Sequence, residues 1–142
     1  MRLITLLLIL FPIQAQAWAF TPGLICRLSH ETPSAQIELT FDPTGPLYSL
    51  TISQATPLPR AEVFSMRFIG PAGREISTNR HSFSPNGTAV TAQDSGFGNV
   101  LDGLQFNAVA EAVLGGTTLR FSLDGAAEPT AAFRACEVAA GV

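Results

Sequence analysis

From Ile25 to Gln93 the apolar residues fall mostly on every second position. That is the repeat of a strand with one face turned to a core. Ile25 to Ser29 opens the series, and Ile37, Leu39 and Phe41 then alternate with Glu38 and Thr40. Tyr48, Leu50 and Ile52 mark one face of a strand over Leu47–Ser53. The intervening Asp42-Pro43-Thr44-Gly45-Pro46 is a turn cluster, because Pro fixes φ and Gly frees it, so a hairpin is predicted over 35–53. Thr56-Pro57-Leu58-Pro59 breaks the pattern and cannot sit inside a central strand. Phe64, Met66 and Phe68 resume it within Val63–Ile69, and Gly70-Pro71-Ala72-Gly73 turns the chain back through Glu75–Thr78. Residues 80–83 and 88–93 pair across Ser84-Pro85-Asn86-Gly87, where Asn-Gly is a strong hairpin signal. Asn86-Gly87-Thr88 also fits a glycosylation acceptor triplet, and it is read here as a turn.

The pattern changes at Asp94–Asn107, which holds the densest set of Gly, Asp and Asn in the chain. Gly96, Gly98 and Gly103 loosen its backbone, while Phe97, Val100, Leu101, Leu104 and Phe106 anchor it. A polar loop pinned by apolar side chains is expected here, serving as a binding site or as a tight corner. Phe106, Val109, Ala110 and Val113 then fall at helical spacing, predicting a helix over 106–114 with Asn107 as N-cap and Gly115-Gly116 as its stop. Thr117 to Leu123 reads as a strand, and Pro129 suits the first turn of a closing helix carrying Ala132, Phe133 and Cys136. The fold expected is mainly β: an antiparallel β-sandwich or small barrel with two short helices in the C-terminal third.

Met1–Ala17 departs from all of this and has the parts of a secretory signal peptide. Arg2 supplies the positive start, Leu3–Ile13 an apolar run broken by Thr5 and Pro12, and Ala15-Gln16-Ala17 a small-x-small cleavage site. The run is shorter than the roughly 20 apolar residues that span a bilayer, so stable membrane insertion is not expected. Residues 18–142 then form a single domain, exported and periplasmic or secreted. Removing Arg2 leaves seven Arg against eleven Asp and Glu, a net −4, with no Lys anywhere. Such a surface lacks the concentrated positive footprint that nucleic acid or an anionic membrane requires.

Two cysteines follow the leader, Cys26 and Cys136. In an exported chain an isolated pair is most simply one disulfide, here closing nearly the whole domain. Leu24-Ile25 before Cys26 does not suit lipidation, and the C-x-x-C spacing of a redox pair is absent. A metal pair would need partners from His30 and His81 alone, too few and too far apart for a closed zinc site. Testing Asp94 as the first position of a calcium loop puts Gly96, Gly98 and Asn99 at positions 3, 5 and 6 and Gln105 at 12, which leaves out most oxygen ligands. No cofactor or metal is therefore expected.

The run L-R-F-S-L-D-G-A-A-E-P-T-A-A-F-R-A-C, Leu119 to Cys136, resembles the closing strand–Gly–helix of small exported bacterial proteins of the invasion-associated-locus-B-like family. A helix that ends in Gly precedes this strand in that family, as Ala110–Gly116 would here. The resemblance implies a periplasmic β-sandwich of non-enzymatic or unknown role, and it transfers no functional residue.

The constellation with chemistry to offer is Arg80 and His81 together with Asp94, Asn99 and Asp102. Arg beside His on a strand edge suits an anion or carboxylate. The structural expectation is that Arg80 or His81 pairs with Asp94 or Asp102 and fixes the loop onto the sheet. The functional expectation is a non-catalytic binding or interaction module with an envelope protein as partner, presenting Trp18, Phe20 and Pro57–Pro59 as a surface patch. The alternative is a small hydrolase using His81 with Asp94 or Asp102, although no G-x-S-x-G elbow is present.

Overall fold

The computed structural model describes Ile9 and residues 17–140, with side chains described as far as Cys136. Apart from Ile9 and Ala17, the signal peptide expected over Met1–Ala17 lies outside the described residues. In chain order the elements are β1 (Ala19–Thr21), β2 (Cys26–Glu31), β3 (Gln36–Asp42), β4 (Leu47–Ser53), β5 (Phe64–Ile69), β6 (Arg74–Thr78), β7 (Ser82–Phe83), β8 (Ala89–Asp94), α1 (Gly98–Gln105), β9 (Val109–Leu114), β10 (Thr117–Ser122) and α2 (Ala127–Ala140). The strands build two antiparallel sheets. One runs β1-β2-β3-β4-β8-β7 and the other β10-β9-β5-β6. The fold is mainly β, with both helices in the C-terminal third and no closed barrel.

Alternation explains why these residues form strands and which way they face. Leu28, Ile37, Leu39, Phe41, Leu50, Ile52 and Val90 of the first sheet are buried, as are Phe64, Met66, Phe68, Ala110, Ala112, Leu114 and Phe121 of the second, all in one core. The hairpin predicted over 35–53 is β3–β4, with Leu39 opposite Leu50 and Phe41 opposite Tyr48. The outer face of the second sheet carries a row of alternating charge. Arg120, Glu111, Arg67 and Glu75 are successive cross-strand neighbours, and each adjacent pair forms an ion pair. Exposed pairs of this kind add little stability, but their order favours one strand register over its neighbours.

The helix expected over 106–114 is absent. Val109–Leu114 is strand β9, paired with β5 on one side and β10 on the other. Ala110, Ala112 and Leu114 enter the core, while Val109, Glu111 and Val113 are half-buried on the other face. Valines four residues apart fit a helix as well as a strand, and two partner strands settle it for the strand. Gly115-Gly116 is accordingly a hairpin turn, with Gly115 at φ +58°. Along the run from 110 to 136, the strand β10, Gly125 and the helix α2 are present, and a strand stands where the preceding helix was expected.

The helix lies one segment earlier, inside the stretch expected to be a loop. Val100, Leu101 and Leu104 form the buried stripe of α1. Asn107 is not an N-cap. Its amide oxygen accepts from the Ala72 N–H at 3.0 Å, and its amide nitrogen donates to the carbonyls of Ala72 and Gly103, both at 3.0 Å. One side chain thus satisfies a C-terminal carbonyl of α1 and ties the helix to the β5–β6 turn.

Gly103 allows α1 its close approach to β5. A Cβ there would lie 2.3 Å from Cδ2 of Phe68, whose ring is buried. Gly103→Ala gains about 1 kcal/mol of helix propensity and incurs about 1–3 kcal/mol of overpacking. The expected outcome in urea melts is a net loss of about 1–2 kcal/mol, with Phe68→Leu costing less in that background than in the wild type. A Gly103→Ala protein more stable than wild type would show that the ring yields freely.

The expected disulfide is present between Cys26 and Cys136, at a Cα–Cα distance of 6.6 Å, and fastens α2 to the start of β2. Phe133, one turn earlier on the same side of α2, enters the core and is fully buried.

Candidate functional site

The two sheets leave a cleft along one side, and its position follows from strand lengths. β7 pairs with only two residues of β8, Ser82 with Thr91 and Phe83 with Val90. Residues 92–94 of β8 therefore have a strand neighbour on the β4 side alone. β6 is the corresponding edge of the second sheet, and residues 79–81 cross from it to β7. Between these edges opens a cavity of about 440 Å³. Its floor is Leu50, Phe64, Met66, Ile76 and Phe97, and its rim includes Arg80, Gln93, Asp94 and Asn99. A space of this size with an apolar floor and few polar groups is the usual form of a ligand site.

Three of the five residues singled out in the sequence meet here: Arg80, Asp94 and Asn99 line the cleft. Asp94 accepts from the Ser95 N–H at 2.7 Å, and Asn99 accepts from Arg74 at 3.4 Å. Among the described residues Arg80 is the one arginine whose guanidinium has neither a carboxylate nor an aromatic ring as partner. Arg27, Arg67, Arg74, Arg120 and Arg134 are ion-paired, and Arg60 lies over the Phe83 ring.

His81 and Asp102 are placed elsewhere. His81 meets the Ala61 carbonyl through Nε2 at 2.9 Å and sits edge-on to Phe64 and Phe83. Asp102 pairs with Arg134 of α2 and with Arg74 of β6, the latter at 3.7 Å. The expected fixing of this segment by Arg80 or His81 is thus carried by Arg74 and Arg134. Among the described residues no hydrogen bond joins His81 to Asp94 or Asp102, the contact on which the hydrolase alternative depended. Arg74 and Arg134 carried no signal in the sequence, since Asp102 reaches them across 28 and 32 residues.

The surface patch expected around Trp18 is also corrected. Trp18 is 4% exposed, donates its indole N–H to the Ser122 carbonyl at 2.8 Å and stacks on His30 with ring centroids 4.9 Å apart. The indole hydrogen bond links the residue just before β1 to the end of β10 across the sandwich. Burial pushes the His30 imidazole below its ordinary pKa, and a backbone hydrogen bond at Ala17 acts the other way. Phe20 is half-buried. Pro57 and Pro59 are exposed, but Leu58 between them is buried and its N–H donates to the Gly87 carbonyl at 2.7 Å.

Among the described residues no helix is long and apolar enough to cross a membrane. Against known proteins the chain matches no family model, no curated protein and no solved structure, so its cleft is read from its own residues alone.

Proposed function

We propose that this is an exported, non-catalytic binding module that receives an apolar group of its ligand in the cleft between β6 and β8. What carries the reading is the pairing of an apolar floor with an arginine that forms no ion pair and stacks on no ring among the described residues. The leader-like start of the sequence and the single disulfide favour export, and an envelope protein is the expected partner.

Ala92 offers the test. It is half-buried, lines the cleft and follows Val90 on the inward face of β8. Ala92→Leu adds apolar volume where space exists, so stability should hold or rise. The measurement is binding of anilinonaphthalene sulfonate, an aromatic probe with one anionic group, to the folded, disulfide-bonded protein. Wild type is expected to bind it, and Ala92→Leu to bind about tenfold more weakly, the effect of about 1.4 kcal/mol. Equal binding by both, or none by wild type, would remove the cleft as a ligand site.

A further inference from the structure

We infer that the cleft takes the carboxy-terminal end of another polypeptide, added as a short strand to β8 with its last apolar side chain inserted between the sheets. This rests on the binding reading above and names the ligand. Three features converge on it: an exposed backbone edge, an apolar floor beneath that edge, and an unpaired arginine beside it.

The edge is derived from two hydrogen bonds. The Ser84 N–H donates to the Ala89 carbonyl at 2.9 Å, so Ala89 points its backbone groups toward the β7 side. The Gln54 N–H donates to the Thr88 carbonyl at 3.0 Å, so Thr88 points toward the β4 side. Backbone direction alternates along an antiparallel strand. Thr91 therefore faces β7, where Ser82 is its partner, and Gln93 faces the same way beyond the point where β7 has ended. Its N–H and C=O have no strand partner on that side, where Arg80 of the crossover comes level with it. An extended segment pairing there alternates its side chains, and one of them is directed to the floor formed by Leu50, Met66, Ile76 and Phe97.

Arg80 decides which part of a polypeptide is read. It stands on the crossover between β6 and β7, on the same rim as Gln93, and its guanidinium is free to bind a carboxylate in a charge-assisted contact. Asp94 on that rim disfavours a ligand with several negative charges, so one carboxylate suits the site better than a phosphate or a polyanion. A fatty acid would satisfy Arg80 and the floor. Only a peptide also satisfies the backbone groups of Gln93.

The experiment titrates the folded, disulfide-bonded protein with three probes. The first is a pool of hexapeptides ending in Leu, Ile, Phe or Met with a free carboxylate, the second is the same pool as C-terminal amides, and the third is laurate. Amide resonances and hydrogen exchange are followed throughout, and the variant Arg80→Ala is titrated in parallel. Arg80 is exposed, so its replacement leaves the core untouched. The free acids are expected to bind and to slow exchange at the Gln93 amide. The amides, and Arg80→Ala with the acids, should bind at least about tenfold more weakly. Acids and amides binding alike, or a Gln93 amide that exchanges as before, would overturn the proposal. Binding of laurate with none of the peptides would also overturn it while leaving the cleft as a binding site. Failure of all three probes together with anilinonaphthalene sulfonate would remove both readings.

Discussion

Replacing Cys26 and Cys136 together by serine lowers the unfolding free energy by about 2–5 kcal/mol. The bond spans 110 positions, so in its absence the unfolded chain regains nearly all its conformational freedom. The native state loses something as well. Cys26 is 1% exposed at the first position of β2, and Cys136 holds the far part of α2 against it. Serine at 26 would place a hydroxyl among apolar neighbours, adding a desolvation cost to the entropic one. The measurement is urea unfolding of the double variant beside wild type with and without reductant. Reduced wild type is expected to resemble the variant, and both should melt at markedly lower urea. Coincident transitions for all three samples would mean that α2 is held without the bond.

Phe133→Ala lowers stability by about 3–5 kcal/mol. The ring is completely buried, and its neighbour Tyr48 at 6.2 Å also stacks on Phe97 at 5.2 Å and contacts Phe41 at 4.5 Å. Truncation would open a cavity beneath a set of large rings with limited freedom to collapse. Since Phe97 is also part of the cleft floor, the same change is expected to weaken probe binding at a cleft that Phe133 does not line. Phe133→Leu, keeping most of the volume, should cost less than half as much, and the exposed Glu128→Ala should be near neutral. A loss below about 1 kcal/mol for Phe133→Ala would show that α2 is not part of the cooperative core. The disulfide and Phe133 both secure α2, so their combined loss should fall short of the sum of the two.

The sequence could be read where local chemistry and tertiary environment agree. Ile37, Leu39 and Phe41 against Glu38 and Thr40 describe half-buried β3, and Asn86-Gly87 describes the turn into β8. The turn is organised by the Asn86 side-chain oxygen, which accepts from both the N–H and the hydroxyl of Thr88. The Cys26–Cys136 bond was legible because no other cysteine competes. The residues that line the candidate cleft were legible in part. Arg80, Asp94 and Asn99 were found because charged and amide groups flank a glycine-rich stretch, whereas the assignment of His81 and Asp102 to the same place did not survive the course of the backbone.

By itself the sequence determined the alternation of the strands, the positions of most turns, the pairing of the two cysteines and the mainly β class. These depend on the spacing of side chains along one segment, or on there being a single possible partner. The tertiary structure decided what Val109–Leu114 and Gly98–Gln105 become. Val and Ala at 109–114 satisfy either period, and pairing with β5 and β10 selects the strand. Glycines in α1 lower its helix propensity, but Gly103 lets the helix rest against Phe68, a contact invisible until β5 is in place. It also decided the cleft, which exists because β7 stops after two residues while β6 and β8 continue as edges of different sheets. Which backbone groups remain unpaired, and which arginine lacks both a carboxylate and an aromatic partner, are properties of neighbours far apart in the chain. No local pattern encodes them.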